Sequence, residues 1–450
     1  MKVRSLHEYT LRLPDRNRVP NRSKHPLSRV LTAVMVFAVI LHARDRANGQ
    51  PVHVILGVLP GHNASYATDV GDFGATVAGY SMVANASASV RAFRWTPGGG
   101  FQSLGLANGA SNSHAYAMSA DGSVVVGIGA TATGDRSFRW TQVGGMETIG
   151  SIPNSTYART LATTSDGSIL VGYAGVAGGV HGFVWSAASE ALDIGAPGPF
   201  NNYIASGVSA DGRRIAGYSG GLATRWSDEE GFVALGYLPN GSFSMASGVS
   251  DDGAVIVGTA ASIGFQELHA FRWTDADGMQ DLGVLPNTFI SQAVGTNADG
   301  SAIVGTSSHL TSSTPDAMLW TPQTGMVNLN TYLPTLGVDL HGMILREATA
   351  ISRDGTAIVG NGQTGTFQRA WIVTGLPCLG NCPRVCDSID FNRDTLLPDT
   401  DDIADFLTVL AGGPCGTAQC GDIDFNNDGL APDVSDIAAL LSVFSGGPCL

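Results

Sequence analysis

From about residue 52 to residue 373, apolar and polar positions alternate over short runs, each bounded by Gly, Asn, Pro or Asp. That pattern predicts half-buried strands joined by turns; a helix would space its apolar positions three to four apart. The runs also repeat. Residues 268–305, LHAFRWTDADGMQDLGVLPNTFISQAVGTNADGSAIVG, form one tile of seven.

Two columns mark the tiles. An apolar-Arg-Trp run stands as FRW at Trp95, Trp140 and Trp273, and more loosely at Trp185, Trp226, Trp320 and Trp371. These are all 7 tryptophans of the chain, spaced by 45, 45, 41, 47, 47 and 51 residues. Asp-Gly followed by a later glycine recurs from Asp121 and Gly127 to Asp354 and Gly360, whereas the first tile keeps Gly74 and Gly79 but has Phe73 in place of Asp. Four strands fit each tile: one ending before Asp-Gly, one ending at the Val-Gly, one holding Phe-Arg-Trp, and one of the Gly-Met-x-x-Leu-Gly type. A primed two-residue turn at Asp-Gly is expected between the first two.

Four strands in a period of roughly 45 residues is a β-propeller blade, so an all-β, seven-bladed propeller is expected over residues 50–375. The last tile lacks its fourth strand, while VHVILG, at Val52 to Gly57, is an extra fourth strand placed before the first tile. Pairing the two closes the ring and leaves no free edge. A solenoid of the same period would not need that exchange.

His269-Ala270-Phe271-Arg272-Trp273 resembles the run for which the extracellular HAF-repeat family is named. The resemblance covers about 320 residues, from His53 to Val373. It implies repeats in a secreted context and no known reaction.

Residues 1–49 read as an export signal, with a long basic stretch before a 12-residue apolar run from Val30 to Leu41. That run is short for a bilayer span and suits a signal core. Cleavage is expected after Ala47-Asn48-Gly49 or after Ala43, with a mis-set start codon or an uncleaved anchor as alternatives. The segment holds 10 of the 24 basic and 3 of the 38 acidic residues. The mature chain keeps 14 against 35, a net charge of about −21, which opposes binding to nucleic acid or anionic lipid. No transmembrane span is expected in the mature chain.

Phe and Trp of the third strand share a face and are expected to pack between blades. Arg94, Arg139 and Arg272 fall on the other face, where stacking on a neighbouring ring is expected. Gly217-Tyr-Ser-Gly-Gly221 matches a nucleophile-elbow pattern, but it lies in a repeat column. The histidines show no zinc spacing, and no catalytic residue is singled out. The loops into each new tile hold an Asn and then an aromatic: Asn63 with Tyr66, Asn154 with Tyr157, Asn202 with Tyr203, Asn240 with Phe243, and Asn287 with Phe289. Tyr66, Tyr157, Tyr203, Phe243 and Phe289 are therefore candidates for a ligand-binding face that takes carbohydrate or a partner protein.

All 6 cysteines lie in residues 376–450, consistent with an oxidising compartment. This tail is a tandem repeat. Cys386 to Cys415 and Cys420 to Cys449 have equal spacing, and those pairings follow the repeat symmetry, although six cysteines allow fifteen connectivities. Asp390, Asn392 and Asp394, and again Asp424, Asn426 and Asp428, occupy the first, third and fifth positions of a calcium loop. Leu396 and Leu430 would supply backbone carbonyls, and Asp402 and Asp436 would close loops one residue longer than the usual twelve. Two such loops, each followed by a helix, resemble a dockerin, and the Gly-Gly-Pro-Cys flanks are similar to the cysteine-bracketed dockerin-like tails of secreted bacterial proteins. The resemblance implies Ca²⁺ binding and a cohesin-like or cell-envelope partner.

The expectation is a secreted or cell-surface bacterial protein, non-enzymatic, whose propeller is a recognition platform anchored by a small α-helical, dockerin-like EF-loop tail. Two alternatives stand beside it: a glycoside hydrolase or lyase of an extracellular polysaccharide-degrading system, and a purely structural envelope protein. Facing carboxylates roughly 5 to 9 Å apart across the channel would favour the enzyme.

Overall fold

The computed structural model describes residues 51–377 and 379, apart from 85, 264–266 and 310–313. The calcium-loop residues Asp390 to Asp436 and the four cysteines named above lie outside the described residues.

Among the described residues, 28 strands form seven four-stranded antiparallel sheets. Blade 1 comprises Ala64–Val70, Val77–Val83, Ala86–Thr96 and Gly100–Gly105, paired in that order. Blades 2 to 6 repeat this meander, with first strands at His114–Met118, Tyr157–Thr163, Ile204–Val208, Ser244–Val249 and Ile290–Thr296. Blade 7 is built from Ile344–Ile351, Ile358–Thr364 and Phe367–Thr374, and its fourth strand is Val52–Ile55 from the start of the described chain. The first strands of successive blades touch all the way round, and that of blade 7 touches that of blade 1, so they line a closed central channel. The expected seven-bladed propeller and its exchanged strand are both present. Among the described residues, no helix is long and apolar enough to cross a membrane.

The core lies between blades. Phe93 and Trp95 pack on Ala357, Val359, Ala370 and Ile372 of blade 7, and Phe271 and Trp273 pack on Ala216 and Ala223 of blade 4. A buried serine ties blades together: Ser65, Ser113, Ser244 and Ser291 accept from the backbone N–H of Ala370, Ala92, Ala223 and Ala270 in the preceding blade. The alanine of the His-Ala-Phe run thus presents its amide to the next blade. Its histidine works within the blade, where His269 Nδ1 lies 2.8 Å from Asp281 Oδ2 of the fourth strand. Leu376 and Leu379 are buried in the same core as blades 6 and 7.

Three local expectations are corrected. The second strand does not end at Val-Gly but runs through it, as in Val124–Thr131. The glycine is required because every first strand carries a bulge opposite it, which thrusts a carbonyl at the glycine; a Cβ on Gly172 would lie 2.0 Å from the Arg159 carbonyl oxygen. The Asp-Gly hairpin is not a two-residue primed turn. At the second blade, Gly122 N–H donates to the Ser119 carbonyl, and Asp121 Oδ1 accepts from Ser119 Oγ and Ser123 N–H. Gly122 takes positive φ, and Asp121 instead braces the loop through its side chain. Finally, Arg94 and Arg272 do not stack on rings. Their Nε atoms donate to the carbonyls of Gly122 and Gly300 in the next blade's turn, whereas Arg225 stacks on Trp273 at 5.1 Å.

The Asp-Gly turns close one mouth of the channel. Asp72 N–H donates to Ala120 O, Ala120 N–H to Ser165 O, Ala210 N–H to Asp251 O, and Asp251 N–H to Ala298 O. Arg353 of blade 7 pairs with Asp251 of blade 5 there, with Nε at 2.6 Å.

Candidate functional site

The opposite mouth is built from the bulges. In each first strand the residue before the bulge is level with its counterparts in the other six: Tyr66, His114, Arg159, Ile204, Met245, Gln292 and Glu347. Their carbonyls face the glycine column, which fixes the backbone seven times over. Their side chains differ in every blade and all retain solvent contact, while the serine column beside them is buried.

Around half of this ring the side chains join into one arc. Tyr66 stacks on Tyr80 at 5.0 Å, Tyr80 meets His114 at 4.9 Å, and His114 stacks on Tyr116 at 6.4 Å. Burial holds Tyr80 in its neutral form, pushing its hydroxyl up to about 12, and burial also lowers the pKa of His114. These groups act as neutral hydrogen-bonding and stacking surfaces near pH 7.

A cavity opens at each end of the arc. One, of about 420 Å³ and between blades 2 and 3, is lined by Gly134, Asp135, Tyr157, Arg159 and Tyr173. Arg159 directs Nε and Nη2 at Asp135 Oδ2, at 2.7 and 2.6 Å, and its Nη1 at the Tyr173 hydroxyl, at 3.3 Å. Tyr157 meets Tyr173 edge-on at 6.2 Å. The other, of about 140 Å³, is lined by Tyr66, Arg346, Glu347, Asn361, Gln363 and Gln368, among others. Asn361 links it to blade 1 by donating to Glu347 and accepting from Ala67 N–H.

The predicted loop aromatics do not form a single ring. Tyr66 and Tyr157 line these two cavities, and Phe289 is 47 % exposed. Phe243 packs beside Gly221 of blade 4. Tyr203 is fully buried between blades, with its hydroxyl on the Ile215 carbonyl at 3.2 Å, and so offers nothing to a ligand. Register explains this: Tyr203 occupies the column of the buried serines, one residue before Tyr66's level, so it points to the other face. The asparagines before the aromatics are turn residues. Asn154, Asn240 and Asn287 take positive φ of 64°, 63° and 63°.

Four residues escaped sequence reasoning. Arg159 and Glu347 were hidden because only the bulge register aligns them, and Tyr80 because only strand pairing sets it beside Tyr66, although a column of seven different residues, each followed by Ala or Thr, was a usable signal. Asp69 stands where other blades have Ala or Gly, in the seam between the inner strands of blades 1 and 2, accepting from Met118 N–H and Val70 N–H at 2.8 Å. It is enclosed by protein yet touched by solvent, and burial pushes it up to about 7. Ser219 of the elbow-like run ends a strand, its Oγ beside Pro197 O and Asn202 Oδ1, so it belongs to a hairpin and not to a strand-to-helix turn. Among the described residues no cluster of three His, Cys, Asp or Glu could hold a metal.

The chain matches no protein-family profile and no curated protein. It is similar to many solved structures, three of which illustrate the range. These are TolB from Acinetobacter baumannii (13% identity, TM-score 0.40, 57% of this chain and 63% of that one), an oligogalacturonate lyase in complex with manganese (12%, TM-score 0.46, 70% and 90%), and the β-propeller domain of Cps50 (Swd1) from Myceliophteria thermophila (10%, TM-score 0.43, 71% and 98%). The match thus spans less than two thirds of the TolB structure. The propeller assignment rests on the strand pairing described above.

Proposed function

We propose that this is a secreted, non-enzymatic binding protein whose arc-bearing mouth is a recognition platform for extracellular carbohydrate, held at the cell surface by its C-terminal tail. The observation that carries the reading is the column Tyr66, His114, Arg159, Ile204, Met245, Gln292 and Glu347: seven equivalent backbone positions on a rigid ring, each with a different side chain that keeps contact with solvent. A ring that holds the backbone constant at seven positions and varies the side chain at each concentrates its chemistry there. Stacked tyrosines and neutral polar groups supply the ring faces and hydrogen bonds that sugars use.

The export-type N-terminus and the resemblance to the HAF-repeat family support an extracellular location. The paired loops around Asp390, Asn392, Asp394, Leu396 and Asp402, and around Asp424, Asn426, Asp428, Leu430 and Asp436, support a tail that folds around Ca²⁺ and docks on a cohesin-like or envelope protein.

The test uses the full mature chain incubated with polysaccharide from the producing cell's envelope and medium. Retention of polysaccharide, abolished in a Tyr66→Ala/Glu347→Ala variant and without release of shorter products, supports the reading. Release of new reducing or unsaturated ends would overturn it in favour of an enzyme.

A further inference from the structure

Resting on that reading of the face, we propose that the cavity between blades 2 and 3 is a subsite for a neutral sugar residue and that it discriminates against acidic sugars. At about 420 Å³ it falls within the usual range of small-molecule sites, about 300–1,000 Å³. The one cation among its lining residues is already committed, and Arg136 at its edge is held by the Asp135 and Thr156 carbonyls. The Nε–Nη2 edge of Arg159, which would grip a carboxylate in bidentate fashion, is taken by Asp135, and Nη1 is on the Tyr173 hydroxyl. An incoming uronate would have to displace Asp135 and leave that carboxylate beside its own.

A hydroxylated ring meets no such conflict. Asp135 Oδ1 has no protein partner among the described residues and can accept from a sugar hydroxyl, while Tyr173, whose oxygen accepts from Arg159, keeps its own hydrogen to donate. Tyr157 offers a ring at the cavity wall. The ion pair positions an acceptor and a donor side by side, the arrangement two adjacent hydroxyls require.

The discriminating substitution is Asp135→Asn, which keeps the shape and removes the carboxylate charge that competes with a uronate for the guanidinium edge. The full chain is assayed at about 0.15 M salt against neutral glucan, mannan and galactan oligosaccharides and against polyuronate oligosaccharides. Wild type is expected to bind a neutral oligomer and not the uronates. Asp135→Asn is expected to weaken that binding about tenfold or more and to acquire uronate binding, a gain that mere structural damage would not produce. Tyr173→Phe, which removes only the hydroxyl, is expected to weaken neutral binding several-fold. Neutral binding untouched by both variants but lost in Tyr66→Ala/Glu347→Ala would overturn this subsite and leave the wider reading standing. Wild-type preference for uronates would overturn the selectivity, and no saccharide binding at all would overturn both.

Discussion

The strand that closes the ring carries a titratable group, and acid should therefore loosen the propeller there first. His53, in Val52–Ile55, is 4 % exposed, and neither ring nitrogen has a hydrogen-bond partner among the described residues. It stacks on His341 at 5.8 Å and lies 6.4 Å from Trp371. Burial, reinforced by repulsion from a charged His341 and only partly offset by Asp339, lowers its pKa from 6.5 to about 4. Between those values the unfolded chain binds a proton that the folded chain refuses, so stability falls as pH drops from 6.5 and the loss is complete near pH 4. At about 1.4 kcal/mol per pH unit, the difference amounts to about 3 kcal/mol. Urea unfolding from pH 7.5 to 4 should show this loss in wild type and not in His53→Leu. Asp69 and Asp72 titrate with the opposite sign but are common to both proteins, so they cancel in the difference. Hydrogen exchange at Ile372 and Val373, opposite Val54 and His53, should rise with acid in wild type alone. Parallel loss of stability in the two proteins would refute the argument.

Four further outcomes are expected. Gly172→Ala should cost about 3 kcal/mol or more in denaturant unfolding, because its Cβ meets a carbonyl that the bulge holds in place, whereas Gly150→Ala, with no atom within 4 Å of its Cβ, should be close to neutral. Ser291→Ala strands the Ala270 N–H and the Gly283 carbonyl between blades 5 and 6 and should cost about 2–3 kcal/mol by the same measurement. Asp69 keeps its proton when folded up to about pH 7, so its contribution to stability is lost as pH rises from about 4 to 7; Asp69→Asn should flatten that part of the pH profile. In calorimetric titration the full chain should bind two Ca²⁺, Asp424→Ala should bind one, and a chelator should abolish recovery of an envelope partner.

The repeat made the fold legible from the chain alone. Seven tryptophans at near-constant spacing required seven like units, and VHVILG, a fourth strand out of place, required a ring that closes on itself, because a propeller edge left unpaired would expose its backbone. Inter-blade packing of Phe and Trp followed from alternation within one strand. Alternation could not locate the bulge in each first strand, because an extra residue there shifts which face the following side chains take and leaves no mark in hydrophobicity. That is why Tyr203 resembled Tyr66 in sequence yet is buried, and why the glycine column had a reason, the opposing carbonyl, that only the fold reveals. The sequence determined that there would be seven equivalent positions around a channel. Which residues share one level there, bringing Arg159 onto Asp135 from 24 positions away and Tyr66 into a cavity with Glu347, was decided only when the blades packed, since those contacts are set by register across blades and not by proximity along the chain.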